Sequence, residues 1–431
     1  MQSLFVCYIS GLDLRRVNTK TTPFLAAQLD QCPWRRFVNL PSNELFPTLF
    51  TGVDPTVHGV WGVKLRPQEK ATAGTSLVDC LPDGLTTTFQ GILHFLTGRY
   101  DLAAIPPRRR RCFDITRTKY KRRNNRHEAL FDIRGIPSVF SVIGEGNCRY
   151  IFSSALDPTR YVLRRLHPGQ HVIDLLELYS LDRYQQFNLD RLDAVLSFYG
   201  RIDEFLSGLH EKCQAANTPL LIISDHGHEP IRESIDLVSR ISDLGIPENA
   251  YHYFVEVSHV RFWFHTEEAR KAITRLLSEI ENGTVVHFRE MHRFGVPLKD
   301  ASYGEVFCYL DPGSIFFPHD FHHGIANLWL GLTDPMQRSR FRDPRHKGNH
   351  GHLPHFDTEN AFVALFDQRF EVRVENASIL DVAPSILSVL GYDRPSSMTG
   401  HALFQPCAVS TNMASVDGIM STNSIHVGST R

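Results

Sequence analysis

The chain has 431 residues, enough for one large or two ordinary domains with a sizeable core. Hydrophobic residues make up 42 % and charged residues 22 %, which excludes a disordered or low-complexity chain. A formal net charge of −1 leaves no global field to attract nucleic acid or an acidic membrane surface, and neither partner is expected.

Taken in chain order, "SLFVCYIS" is a short β-rich run that stops at the polar turn "SGLD". "TTPFLAAQL" predicts a helix opened by a threonine with proline in its first turn. "RRFVNL" predicts a second strand, and "NELFPTLFTG" a helix ending at Gly52. "HVIDLLELYSL" starts as a strand, and "LDRLDAVLSFYGRIDEFLSGLHEKC" has apolar residues at helical spacing. "TPLLIISDHGH" and "NAFVALF" predict buried strands, and "SILDVAPSILSVLG" a last helix. This grammar implies an α/β fold with a central, mostly parallel sheet sandwiched by helices. Ligands of such sheets gather at the carboxyl ends of strands, where Ser10, Leu40–Ser42, Asp182 and Asp225–His226 all fall.

Two stretches break the pattern: about 60–165, with the basic run "PPRRRRCFDITRTKYKRRNNRH", and about 230–345, with the β-rich "YHYFVEVSHVRFWF". Both are expected to be cap insertions within a single catalytic domain spanning 1–405. The Ser/Thr-rich stretch 406–431 lacks periodicity and is expected to be a disordered tail. The eight cysteines form no C-x-x-C pair, and Cys7 and Cys308 lie in apolar runs as expected buried thiols. With no basic leader and no apolar run near the ~20 residues that span a bilayer, the expectation is a cytoplasmic protein without a membrane segment.

Chemistry concentrates in "IISDHGHEP", where Asp225, His226 and His228 follow an apolar run. Such groups at a buried strand end are costly to dehydrate unless they are paired or hold a cation. Taken alone, the stretch also fits a capped strand end, and His228, His352 and His355 fit ordinary loop histidines. The cluster "HDFHHG" fits surface histidines as well as metal, and His58 fits a packing role beside Gly59. The basic runs fit either a solvated loop or an edge that grips phosphate.

Four stretches in order carry a resemblance: "PSNELFPTLFTGVDPTVHGVWG", "LLELYSLDRYQQFN", "IISDHGH", and "KGNHGHLP" followed by "ASILDVAPSILSVLGYDRPSSMTG". Together they resemble the alkaline phosphatase superfamily, most closely its nucleotide pyrophosphatase/phosphodiesterase branch. The resemblance implies a hydrolase of phosphoric esters that works through a covalent phospho-serine, with two divalent cations, zinc first. Paired cations about 4 Å apart steady both the entering and the leaving oxygen.

Carried onto this sequence, Ser42 takes the nucleophile's position; apart from the carry-over, the neighbouring Asn43 and the loop residue His352 are substrate-binding candidates. Asp225 and His226 fall on the ligand pair beside the nucleophile, and Asp182 and His350 on ligands of the other cation. Three positions depart from the family pattern. Ser10 stands where an aspartate ends the first strand, with Asp13 as a candidate substitute. Gln186 stands in place of a histidine, and Leu45 in place of an asparagine. Neutral oxygens from Ser10 and Gln186 suit magnesium, manganese or calcium better than zinc. The implied substrate is a small phosphorylated molecule. The replaced ligands keep open a binding or scaffold module that has lost the chemistry, and a group transferase remains a third reading.

Overall fold

The computed structural model describes residues 2–41, 44–62, 92, 130–131, 133, 135–322 and 324–407. Its centre is a six-stranded sheet: β1 Leu4–Ile9, β2 Trp34–Val38, β3 Cys148–Ser153, β4 Ile173–Leu178, β5 Leu220–Ser224 and β6 Asn360–Phe366, in the order β2-β6-β5-β1-β4-β3. β1 runs parallel to β4 and β5, and β3 parallel to β4. β6 is antiparallel to both β2 and β5, so β2 points the same way as β5. The carboxyl ends of β1, β2, β4 and β5 therefore open on one edge, and β6 begins there.

Every residue of β1, β4 and β5 is buried, as expected of strands covered on both faces. Alternation along β1 divides the core: Leu4, Val6 and Tyr8 pack into one cluster, and Phe5, Cys7 and Ile9 into the other. The helix Val382–Leu390 closes the first with Val382, Ile386 and Leu387. The helix Leu192–Ala215 closes the second with Phe198, Ile202, Phe205 and Leu209.

The β-rich stretch forms a second, antiparallel sheet from Tyr251–Val255, His259–Phe264, Gly283–His287 and Val306–Leu310. The helix Glu267–Ser278 packs Ile273 and Leu277 into a core of its own with Phe262 and Cys308. On the opposite face, Phe307 and Tyr309 meet Trp61 and Leu353. The Tyr303 hydroxyl donates to the Gly59 carbonyl at 2.8 Å, tying this sheet to the chain that follows β2.

The helix after β2 spans Phe46–Thr51 with Leu45 as its N-cap, so it begins beyond Ser42. Ser42 and Asn43 lie outside the described residues, as do the basic runs 108–111 and 119–123 and the stretch 408–431. Among the described residues no helix is long and apolar enough to cross a membrane.

Candidate metal centre

The edge is organised around Asp225, one residue past β5. Its Oδ2 accepts from the Tyr8 hydroxyl at 2.6 Å and from Ser10 Oγ at 2.9 Å. Its Oδ1 accepts from the Gly11 N–H at 2.9 Å and from the His226 N–H at 3.0 Å. Burial opposes ionisation, but the adjacent His226, the Tyr8 hydroxyl and the Gly11 amide outweigh it and hold this carboxyl well below the usual range. His226 Nδ1 faces the Gly227 carbonyl at 3.0 Å, which leaves Nε2 turned to the site, 3.2 Å from Asp225. Burial would lower the His226 pKa, but Asp225 raises it to about 9.

Asp182 comes from the first turn of the helix Ser180–Asn188, directly after β4. Its N–H donates to the Ser10 carbonyl at 3.1 Å, which locks the ends of β1 and β4 together. The Gln186 amide, one helical turn on, donates to Oδ2 at 2.8 Å. A carboxylate only accepts, so Gln186 presents its NH2 here and its oxygen faces away.

A two-residue ribbon supplies the remaining groups. Gly348–Asn349 pairs antiparallel with Glu229–Pro230, and this register sets His350 opposite His228. His228 Nε2 lies 3.1 Å from Asp182 Oδ1, and His350 Nε2 lies 3.4 Å from the same oxygen. The His226 and His350 rings are stacked, and His228 meets both at an angle. Burial, and then the charge of His226, push His228 and His350 well below the usual imidazole range.

One ligand atom from each of Asp182, His226, His228 and His350 falls within a 4.8 Å span. Asp182 Oδ1 and both nitrogens of His228 are buried without a hydrogen-bond partner. Buried polar atoms are almost always satisfied, so Asp182 Oδ1 and the His228 Nε2 that lies 3.1 Å from it fit a shared cation. Two donors about 2.0–2.1 Å from a tetrahedral zinc stand roughly 3.4 Å apart. The separations of 3.1 and 3.4 Å match that spacing.

Sequence reasoning divides these residues between two cations, with Asp225 and His226 on one and Asp182 and His350 on the other. In the structure Asp182, His226 and His350 fall in one cluster together with His228. The H-x-H spacing is the signal for His228, because an extended segment turns residues i and i+2 to the same side. Asp13 does not reach the cluster. Its carboxylate takes the Arg15 N–H and guanidinium at 2.8–3.2 Å and pairs with Arg16. Both arginines also donate to the His228 carbonyl, at 3.1 and 3.0 Å, so Asp13 braces the loop. The Ser10 hydroxyl donates to Asp225.

His352 turns Nδ1 to the Leu310 carbonyl at 2.8 Å, while its N–H and that of Gly351 donate to Glu359. Glu359, one residue before β6, is not evident from the sequence and holds the loop that carries His350. His58 is buried as a clasp between Thr48 Oγ1 at 3.0 Å and the Val60 N–H at 3.1 Å. His319, from the "HDFHHG" stretch, is buried and not a surface histidine.

No family model matches this chain, and no curated protein matches it. Among solved structures it is similar to murine ectonucleotide pyrophosphatase/phosphodiesterase 5, at a TM-score of 0.60 and 12 % identity over 93 % of this chain and 97 % of that one. An inactive form of the murine protein in complex with AMP gives 0.58 and 13 % over 94 % and 97 %. The human counterpart gives 0.56 and 12 % over 91 % and 96 %. The chain has the alkaline-phosphatase-like fold of these proteins.

Proposed function

We propose that the protein is a metal-dependent hydrolase of phosphoric esters, of the phosphodiesterase or nucleotide pyrophosphatase type, with Ser42 as nucleophile. The observation that supports it is the Asp182/His226/His228/His350 cluster at the carboxyl edge of a sheet with this fold. Ser42 is the next residue in sequence after Pro41, which lies buried past the carboxyl end of β2. In the reaction its Oγ forms a bond to phosphorus, the ester oxygen leaves with the electron pair, and water then hydrolyses the phospho-serine. A bound divalent cation supplies Lewis-acid polarisation of the phosphoryl oxygens. Asp182 and the histidines hold that cation, Asp225 orients His226, and Gln186 orients Asp182. Three imidazoles and one carboxylate favour zinc over magnesium or calcium.

The substrate on this reading is a small nucleotide-type phosphoric ester, in keeping with the AMP held by the murine protein. A reducing, cytoplasmic setting is part of the same reading, supported by the free thiols of Cys7, Cys32, Cys148, Cys213, Cys308 and Cys407. Turnover of bis(p-nitrophenyl) phosphate in added zinc tests it. Ser42→Ala should abolish turnover and leave zinc binding intact, and activity that survives the substitution removes Ser42 from the mechanism.

A second reading has one observation in its favour. Ser10 and Gln186 both serve as donors to carboxylates, and neither contributes a charge to the site. A protein that binds a nucleotide without cleaving it would look the same. It predicts AMP binding with no turnover of any mono- or diester in zinc, manganese or magnesium.

A further inference from the structure

The resemblance implies two cations, and the residues present do not fit two. We propose that the centre takes a single divalent cation, ligated by Asp182 Oδ1 and by one nitrogen each of His226, His228 and His350, with Asp225 positioning His226 from outside. The proposal rests on the functional reading above only for the use made of the cation; the number of ions bound does not depend on turnover.

Three observations carry it. The first is saturation of Asp225. A carboxylate has about four acceptor sites, and Tyr8, Ser10, Gly11 and His226 each direct one donor at it. A cation ligated by Asp225 would have to displace buried donors, at the cost of leaving them unpaired. The second is that the two residues which would complete another site point the wrong way. The Ser10 hydroxyl donates to Asp225, and the Gln186 amide donates to Asp182 Oδ2. The Gln186 contact confines Asp182 to monodentate ligation through Oδ1.

The third is His228. It is fully buried, and neither nitrogen has a hydrogen-bond partner. Its place is tightly bounded. A Cβ at Gly11 would stand 3.0 Å from His228 Cε1 and 3.0 Å from Asp182 Cα. Gly11 has φ +77°, a conformation that favours glycine. The Arg15 and Arg16 guanidiniums hold the His228 carbonyl, and the ribbon to Gly348–Asn349 fixes the next two residues. A buried imidazole held this firmly, with Nε2 3.1 Å from an Asp182 oxygen that has no hydrogen-bond partner, fits a ligand better than a packing residue. It replaces the imidazole that Gln186 lacks. The His350 side chain is 30 % exposed, so the cation has one side open to solvent or substrate.

The experiment is a zinc titration of chelator-stripped full-length protein by isothermal calorimetry, with bound zinc counted after dialysis. One ion per chain is expected. Two ions, or none, overturn the proposal. One ion without turnover leaves it standing and removes only the hydrolase reading. His228→Ala should weaken zinc binding at least a hundredfold, and wild-type affinity in that variant overturns the assignment. X-ray absorption at the zinc edge of the wild-type protein decides the point without any variant. Three imidazoles and one carboxylate are expected, and two or fewer imidazoles count against the proposal.

Discussion

The rings of His226 and His350 lie face to face, with centroids 3.6 Å apart and planes 8° from parallel. Two protonated imidazoles would repel at that distance, so the pair is stable only if at least one ring is neutral. Neutral imidazole is the form that binds metal. The two residues reach this geometry from segments far apart in sequence, one from the end of β5 and one from the ribbon ahead of the neighbouring β6.

His350→Ala should therefore separate metal binding from folding. The side chain is 30 % exposed, so its removal leaves little cavity. Stability without metal should change by less than about 1 kcal/mol in urea. Zinc affinity should fall at least tenfold. A variant that loses stability but keeps its affinity would make the stack a packing feature only.

A second prediction concerns Ser10 and Gln186. Introducing an aspartate and a histidine with Ser10→Asp and Gln186→His places a second carboxylate beside Asp225, whose Oδ2 is now 2.9 Å from Ser10 Oγ. In stripped protein the two carboxylates repel, and the double variant should be less stable than wild type. In zinc it should bind two ions per chain and recover that stability. A count that stays at one, measured by dialysis, would show that the geometry and not the ligand chemistry limits the site.

Much of this was legible from particular residues. The apolar runs of β1, β4 and β5 announced buried parallel strands, and the polar residues just past them marked the edge. Asp182, His226 and His350 could be placed because their motifs are local. The direction of β6 was not legible, because "NAFVALF" is equally apolar whichever way it runs. Nor was the place of His228 in the cluster. That depends on the pairing of Gly348–Asn349 with Glu229–Pro230, a contact between segments far apart in sequence. Asp13 looked like a spare ligand because sequence does not show that Arg15 and Arg16 fold back onto it.

Those arginines lead to a third prediction. Asp13 is 2 % exposed and accepts from both guanidiniums, which in turn hold the His228 carbonyl. Asp13→Ala leaves two cations facing a buried gap. Breaking a buried pair costs about 3–5 kcal/mol, and partial exposure of Arg15 brings the expected loss nearer 2–3 kcal/mol. Because the His228 backbone is released as well, zinc affinity should drop even below the unfolding range. Urea melts and calorimetry on one sample read both effects, and a loss of stability with unchanged affinity would remove Asp13 from the support of the metal centre.

The last prediction concerns acid stability away from the centre. His319 is buried, and its Nδ1 accepts the Phe321 N–H at 3.2 Å. Burial, then His322 and Arg340, push its pKa down to about 3, against a smaller opposing pull from Glu256; the His346 ring lies 5.4 Å away. The unfolded value is about 6.5. Above that pH both states are neutral and His319 contributes no pH dependence. As the pH falls below it, the unfolded chain takes up a proton that the folded chain refuses until about pH 3. Stability should fall across that window with a slope of up to about 1.4 kcal/mol per pH unit from this one group. Asparagine keeps an acceptor near the Nδ1 position but cannot titrate, so His319→Asn should flatten the profile between pH 6 and 4 relative to wild type. Urea unfolding at half-unit pH steps gives the comparison. Equal slopes in the two proteins would mean that His319 is protonated in the folded state.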